Sequence, residues 1–141
     1  MMKHPRHILR TLILAVAPKD GFYWATFYHS VARYTLPEGA AAYTMDANHH
    51  LYRLGTDGRT IRENTAVVII SDKADITLTR VSGDSEITIN GGGNILRGSD
   101  SAIPAGESAY VLSVDDSGSI GFRRYTGDSI PANKAYYIKT Q

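Results

Sequence analysis

Leu36-Pro37-Glu38-Gly39-Ala40-Ala41-Ala42-Tyr43 returns three more times in altered form. The other copies are Ile61-Arg62-Glu63-Asn64-Thr65-Ala66-Val67-Val68, Ile103-Pro104-Ala105-Gly106-Glu107-Ser108-Ala109-Tyr110 and Ile130-Pro131-Ala132-Asn133-Lys134-Ala135-Tyr136-Tyr137. Each copy has an aliphatic residue, usually a proline, then a glycine or asparagine, then a small residue that opens an apolar run. A proline cannot donate to a strand ladder, so it marks the residue just before pairing begins. Gly39, Asn64, Gly106 and Asn133 are the residue types that enter the left-handed region at least cost. The phrase therefore reads as a tight corner feeding a β-strand. The small residues that follow, Ala41, Ala66, Ser108 and Ala135, leave room for one sheet to approach another. Strand alternation puts Tyr43, Val68, Tyr110 and Tyr137 on the same face as those small residues.

Working outward from the corners, apolar runs of four to eight residues rich in Val, Ile, Thr and Tyr are bounded by Gly, Pro, Asn and Asp. Strands are expected at 8–16, 22–28, 41–46, 50–54, 65–71, 75–80, 85–89, 108–114, 119–125 and 134–139. Pro18-Lys19-Asp20-Gly21 is expected to turn between the first two. Ala66-Val67-Val68-Ile69-Ile70 is apolar on both faces and should be a central, covered strand. The first residues of the four phrases are unequally spaced, which argues against a trefoil. The expected architecture is all-β: an antiparallel β-sandwich or flattened barrel built from two similar β-meander halves. The halves span about 22–71 and 94–139, with an inserted hairpin at about 72–90. Residues 8–141 form a single domain, preceded by a disordered or basic arm at 1–7.

At 141 residues the chain can bury one core without staples. Fifteen basic and fourteen acidic residues leave a formal net charge of +1, so no electrostatic footprint points to nucleic acid. The absence of cysteine excludes disulfides, thiol catalysis and thiolate metal sites. No run reaches the ~18 apolar residues of a membrane span. The basic lead before Leu12-Ile13-Leu14-Ala15-Val16-Ala17 reads as the approach to a strand rather than as an export signal.

The order of several segments resembles a β-rich module found near the C-termini of large surface and secreted proteins of Bacteroidetes, often after leucine-rich or immunoglobulin-like repeats. The segments are Trp24-Ala25-Thr26-Phe27-Tyr28, Tyr34-Thr35-Leu36-Pro37-Glu38-Gly39, Ala42-Tyr43, Thr65-Ala66-Val67-Val68-Ile69, Asn94-Ile95-Leu96-Arg97-Gly98, Tyr110-Val111-Leu112-Ser113, Gly121-Phe122 and Ile130-Pro131-Ala132-Asn133-Lys134-Ala135-Tyr136. The resemblance covers roughly residues 20 to 139. It implies an accessory, adhesion-type domain at the cell surface or outside the cell, with no catalytic set to carry over.

Candidate chemistry is sparse. Asn48-His49-His50 holds the only adjacent histidines, and neighbours on a strand point to opposite faces, so they are poorly placed to share a metal. His29 has no carboxylate close in sequence. Gly91-Gly92-Gly93 lacks the helix and the Lys and Ser/Thr that a phosphate loop needs. Asp115-Asp116-Ser117-Gly118-Ser119 lacks the ligand spacing of a calcium loop. Glu86 alone sits in a strand pattern, and the other acids fall mostly in turns. No catalytic, cofactor-binding or metal-binding residue is therefore assigned, and no cofactor is expected. The aromatics carry more weight. Trp24, Tyr28, Tyr34, Tyr52, Tyr125 and Tyr136, with Tyr23, are too many for one buried face. Several together would make a platform for sugar rings or for a protein partner. The leading expectation is a non-enzymatic binding module for a protein or glycan ligand. The alternative is a structural component of a surface layer or phage particle that self-associates through sheet edges or the N-terminal arm. A hydrolase site assembled only in space is the third reading.

Overall fold

All four corners bend through the left-handed region: Gly39 at φ 94°, Asn64 at 56°, Gly106 at 69° and Asn133 at 62°. The computed structural model describes residues 10–14, 16–19, 21–82 and 86–139, and in it each corner hands the chain to a strand. The chain is all-β and antiparallel, arranged as stacked open sheets with no closed barrel among the described residues. The first half contributes β3 (Phe22–Phe27), β4 (Arg33–Thr35), β5 (Ala40–Met45), β6 (Leu51–Arg53), β7 (Thr60–Ile61) and β8 (Val67–Ser71). The second contributes β10 (Arg97–Gly98), β11 (Ile103–Pro104), β12 (Ala109–Val114), β13 (Ile120–Arg124), β14 (Ser129–Ile130) and β15 (Ala135–Ile138). Also present are β1 (Arg10–Leu14), β2 (Val16–Lys19) and β9 (Asp75–Val81).

The two sets of six pair in the same way. The first sheet runs β3-β8-β5-β6 and the second β10-β15-β12-β13, while β4 pairs β7 as β11 pairs β14. Registers agree residue by residue along β5–β8 and β12–β15, while the ribbons β4–β7 and β11–β14 depart from the phrase alignment by two residues, since Tyr34 faces Ile61 and Ile103 faces Ile130. Ala42 faces Ile69 and Tyr43 faces Val68 in the first half, where Ala109 faces Ile138 and Tyr110 faces Tyr137 in the second. Tyr43 also faces Arg53, as Tyr110 faces Arg124. The corner bonds repeat too. Asn64 N–H donates to the His29 carbonyl at 2.8 Å, and Asn133 N–H to that of Ser99 at 2.7 Å.

The core lies in layers. β8 is central in its sheet and buried on both faces, as its unbroken apolar run requires. On one face Val67 and Ile69 join Ala25, Phe27, Ala42, Leu54 and Ile61 under Ile76 and Leu78 of β9. On the other, Ala66 and Val68 meet their counterparts Ala135 and Tyr137 in the seam between the two sheets. Burying a Val or Ile of this kind stabilises by roughly 1.5–3 kcal/mol relative to exposure. Of the small residues expected to admit sheet contact, Ala66 and Ala135 do so. Ala41 is half-buried outside the seam cluster and Ser108 is exposed, because Ser108 still belongs to the corner and β12 begins at Ala109.

Three expectations need correction. No pairing of 75–81 with 86–90 occurs among the described residues, so the hairpin expected at 72–90 is not seen there. β9 pairs instead with β1 and β4, and residues 86–90, including Glu86, carry no strand. The segment 86–90 is drawn across the first half by other bonds: Gly55 N–H to the Thr88 carbonyl at 2.8 Å, Asn90 to the carbonyls of Arg53 and Gly55, and Ile87 against the core. The strand expected at 8–16 is two strands in different sheets, β1 beside β9 and β2 beside β3. Pro18 lies inside β2 rather than in a turn. An edge strand tolerates it, because its missing N–H costs no ladder bond on the open side. The arm at 1–7 lies outside the described residues.

Candidate functional site

The aromatics expected to share a platform are distributed over the layers. Tyr34 is in the first core, edge-on to Phe27 with ring centroids 5.2 Å apart, and Tyr136 is buried under the second sheet. Neither is a surface residue, because each sits at a strand position whose face is covered. Tyr125 packs on the Tyr136 cluster, and Tyr52 lies against Gly91, where a Cβ would meet its ring. Trp24 and Tyr28 share the seam cluster, and Tyr125 and Tyr136 share the one under the second sheet.

Tyr28 is occupied by the fold. Its hydroxyl donates to Asn64 Oδ1 at 2.6 Å, its N–H to the Asn133 carbonyl at 3.2 Å, and its carbonyl accepts from Asn133 Nδ2 at 2.9 Å. It thus ties together the corner asparagines of both halves. Burial, and then the Asp100 carboxylate, raise its phenol above the ordinary value. Gly98 passes against this ring so closely that any side chain there would overlap Tyr28. Asp100 adds to the same joint. It accepts from Ser30 N–H at 3.0 Å, from the Ser30 hydroxyl and from Asn133 Nδ2 at 3.3 Å. The Ser30 hydroxyl bond is the main cause of its lowered pKa.

Trp24 leads to the site. A cavity of about 250 Å³ opens at the rim of the seam, walled by Trp24, Met45, His49, Leu51, Phe122 and Tyr137. Three of the rings meet at Tyr137. His49 lies 5.0 Å from Tyr137, Phe122 5.4 Å from it, and Tyr110 stacks on it at 5.3 Å and 16°. Lys139 Nζ sits 5.5 Å above the Tyr110 ring. Burial raises the Tyr137 phenol above its ordinary value, with Tyr110 adding to the effect. Trp24 Nε1 is buried and makes no hydrogen bond among the described residues. A second cavity, of about 270 Å³, has His49 and Tyr137 as shared walls, with Ile95 and Lys139 opposite.

The tight turn carrying His49 explains how a histidine from the first half reaches a tyrosine of the second. Asp46 Oδ1 accepts from the N–H groups of Asn48 and His50, both at 2.9 Å, and His49 bends at φ 66°. The His50 bond is the main cause of the lowered Asp46 pKa. His49 and His50 are solvent-exposed, as expected, but nothing in the sequence points to the tilted contact of His49 with Tyr137. Leu51, Phe122 and Tyr137 were missed as well. The available signal was the fourth phrase, which puts Tyr137 on the face of Ala135.

The other motifs resolve into turns. Asp115 Oδ1 accepts from Ser117 N–H, Ser117 Oγ and Ser119 N–H at 2.7–2.9 Å, and its second oxygen pairs with Arg123 at 3.1 Å. Gly91 bends at φ 75° beneath Tyr52. His29 Nδ1 accepts from the N–H of Ala32 at 3.0 Å, closing its own turn. No group of three or more His, Asp or Glu residues able to hold a metal occurs among the described residues, and no helix there is long and apolar enough to cross a membrane.

Compared with protein-family models, curated proteins and solved structures, the chain matches none, so the site is read from its own geometry.

Proposed function

We propose that this chain is a non-enzymatic binding module, an adhesion-type accessory β-domain of a bacterial surface or secreted protein, and that it grips its ligand in the aromatic cleft at the seam. The observation that carries the reading is the connected wall of His49, Phe122 and Tyr137, with Trp24 also lining the half-open cavity. Rigid rings of this kind offer a large contact area with little entropy to lose. The flat apolar face of a sugar ring, or an aromatic or aliphatic side chain of a protein, suits such a wall. The assembly alternative has less support. The edge strand β13 carries Arg123 and Arg124, charges that discourage edge-to-edge pairing.

Trp24 is the only tryptophan, so its emission reports on the cleft directly. A glycan array and a pull-down from cell-surface material supply candidate ligands, and each is then titrated against Trp24 fluorescence. Binding should shift the emission, and Phe122→Ala or His49→Ala should each weaken it about three- to tenfold, the worth of one ring contact. Ligands that bind without moving the emission, and that ignore both substitutions, would place binding elsewhere. Blank screens would remove the reading.

A further inference from the structure

A separate cavity of about 230 Å³ lies where β3 approaches the second sheet, lined by Ala25, Val111, Tyr125, Ile130, Pro131 and Lys134. The registers give its counterpart in the first half. Tyr125 N–H donates to the Ala109 carbonyl at 2.8 Å just as Leu54 N–H donates to that of Ala42 at 2.9 Å, so Tyr125 stands in the place of Leu54. By the same alignment Ile130 corresponds to Ile61, and Lys134, next to Asn133, corresponds to Thr65, next to Asn64. In the first half these positions are closed. Leu54 and Ile61 are fully buried under β9, and the buried Thr65 hydroxyl donates to the Glu63 carbonyl at 3.2 Å. In the second half no strand corresponding to β9 lies over the sheet among the described residues, and Tyr125 and Val111 stay half-buried.

Lys134 is itself half-buried and has no ion-pair partner among the described residues. An ammonium drawn from water without a counter-charge is unfavourable, and a carboxylate beside it removes the penalty. We propose that this pocket binds a small monocarboxylate with an apolar ring or short chain, its carboxylate on Lys134 Nζ and its body against Val111, Tyr125 and Ile130. Burial lowers the Lys134 pKa, consistent with a desolvated amine that gains from an anion. The volume falls below that of pockets for drug-sized molecules, which limits the body to a single ring or a short chain. A β-strand is the wrong occupant. Leu36 N–H bonds toward β7, so by alternation Thr35 N–H faces β9, and Pro104 holds that position in β11. Proline has no N–H to give an added strand.

Benzoate and hexanoate are the probes, titrated by NMR shifts of the Ala135, Val111 and Ile130 amides, with benzamide as the neutral control. Benzoate should bind at least tenfold more tightly than benzamide. Lys134→Met should abolish that preference and Lys134→Arg should keep most of it, both with an otherwise unchanged amide spectrum. Equal binding of benzoate and benzamide, or a preference that survives Lys134→Met, would overturn the proposal. So would no shift at millimolar benzoate, or light scattering that shows a second copy of the chain covering this face.

Discussion

The two halves share their strand order, main-sheet registers and corner bonds, yet they meet different surroundings. The first sheet is packed on both faces, by the seam on one side and by β9 with segment 86–90 on the other. The second has the seam on one side and a half-open apolar face on the other, where Val111, Tyr125 and Ile138 are only partly buried. The same backbone plan therefore gives a closed structural core in one copy and an accessible surface in the other. The difference comes from what the intervening chain covers.

The largest expected effect separates the halves directly. Ile69 and Ile138 are equivalent by register, one fully buried and the other partly. Ile69→Ala should cost about 2–5 kcal/mol of stability in denaturant unfolding, and Ile138→Ala about 1–2 kcal/mol. Equal losses would erase the distinction between covered and open faces. Next in size is the joint between the halves. A methyl group at Gly98 would strike the Tyr28 ring, so Gly98→Ala should destabilise by about 1–3 kcal/mol through overpacking. A neutral Gly98→Ala in the same unfolding experiment would mean that the halves do not approach there as described. The smallest effect is acidic weakening of the same joint. Hydrogen bonds, Ser30 first, hold the Asp100 carboxyl below its ordinary value of 3.8. A depressed carboxyl contributes stability above the unfolded-state pKa and loses it as pH falls through the lower folded-state value. The Asp100 contribution should thus be intact at neutral pH and decline below about pH 3.8, and Asp100→Asn should flatten that part of the acid limb. An acid limb identical in the two proteins would show that Asp100 is not linked to folding.

Much of this was legible in the chain. The positive φ of Asn64 and Asn133 followed from their alignment with Gly39 and Gly106, and the doubly covered β8 followed from its unbroken apolar run. The short ribbons β4–β7 and β11–β14 were not foreseen. Two or three residues are too few for alternation to show, and they flank corners already read as turns. Segment 86–90 misled because Glu86-Ile87-Thr88-Ile89 alternates like a strand, while side-chain and backbone bonds to Arg53 and Gly55 hold it as irregular chain. The site was half visible. Trp24 was identified, but the other walls come from residues far apart in sequence. His49 reaches Tyr137 only because a tight turn ends one sheet where the other begins.

Amide hydrogen exchange compares the two copies most directly, strand against equivalent strand. The predicted result is protection in both β8 and β15, with Val67–Ser71 exchanging more slowly than Ala135–Ile138, because Val67 and Ile69 are wholly buried while their counterparts Tyr136 and Ile138 are less completely covered. Exchange from β15 as slow as from β8, or slower, would contradict a duplicated fold in which only one copy is closed.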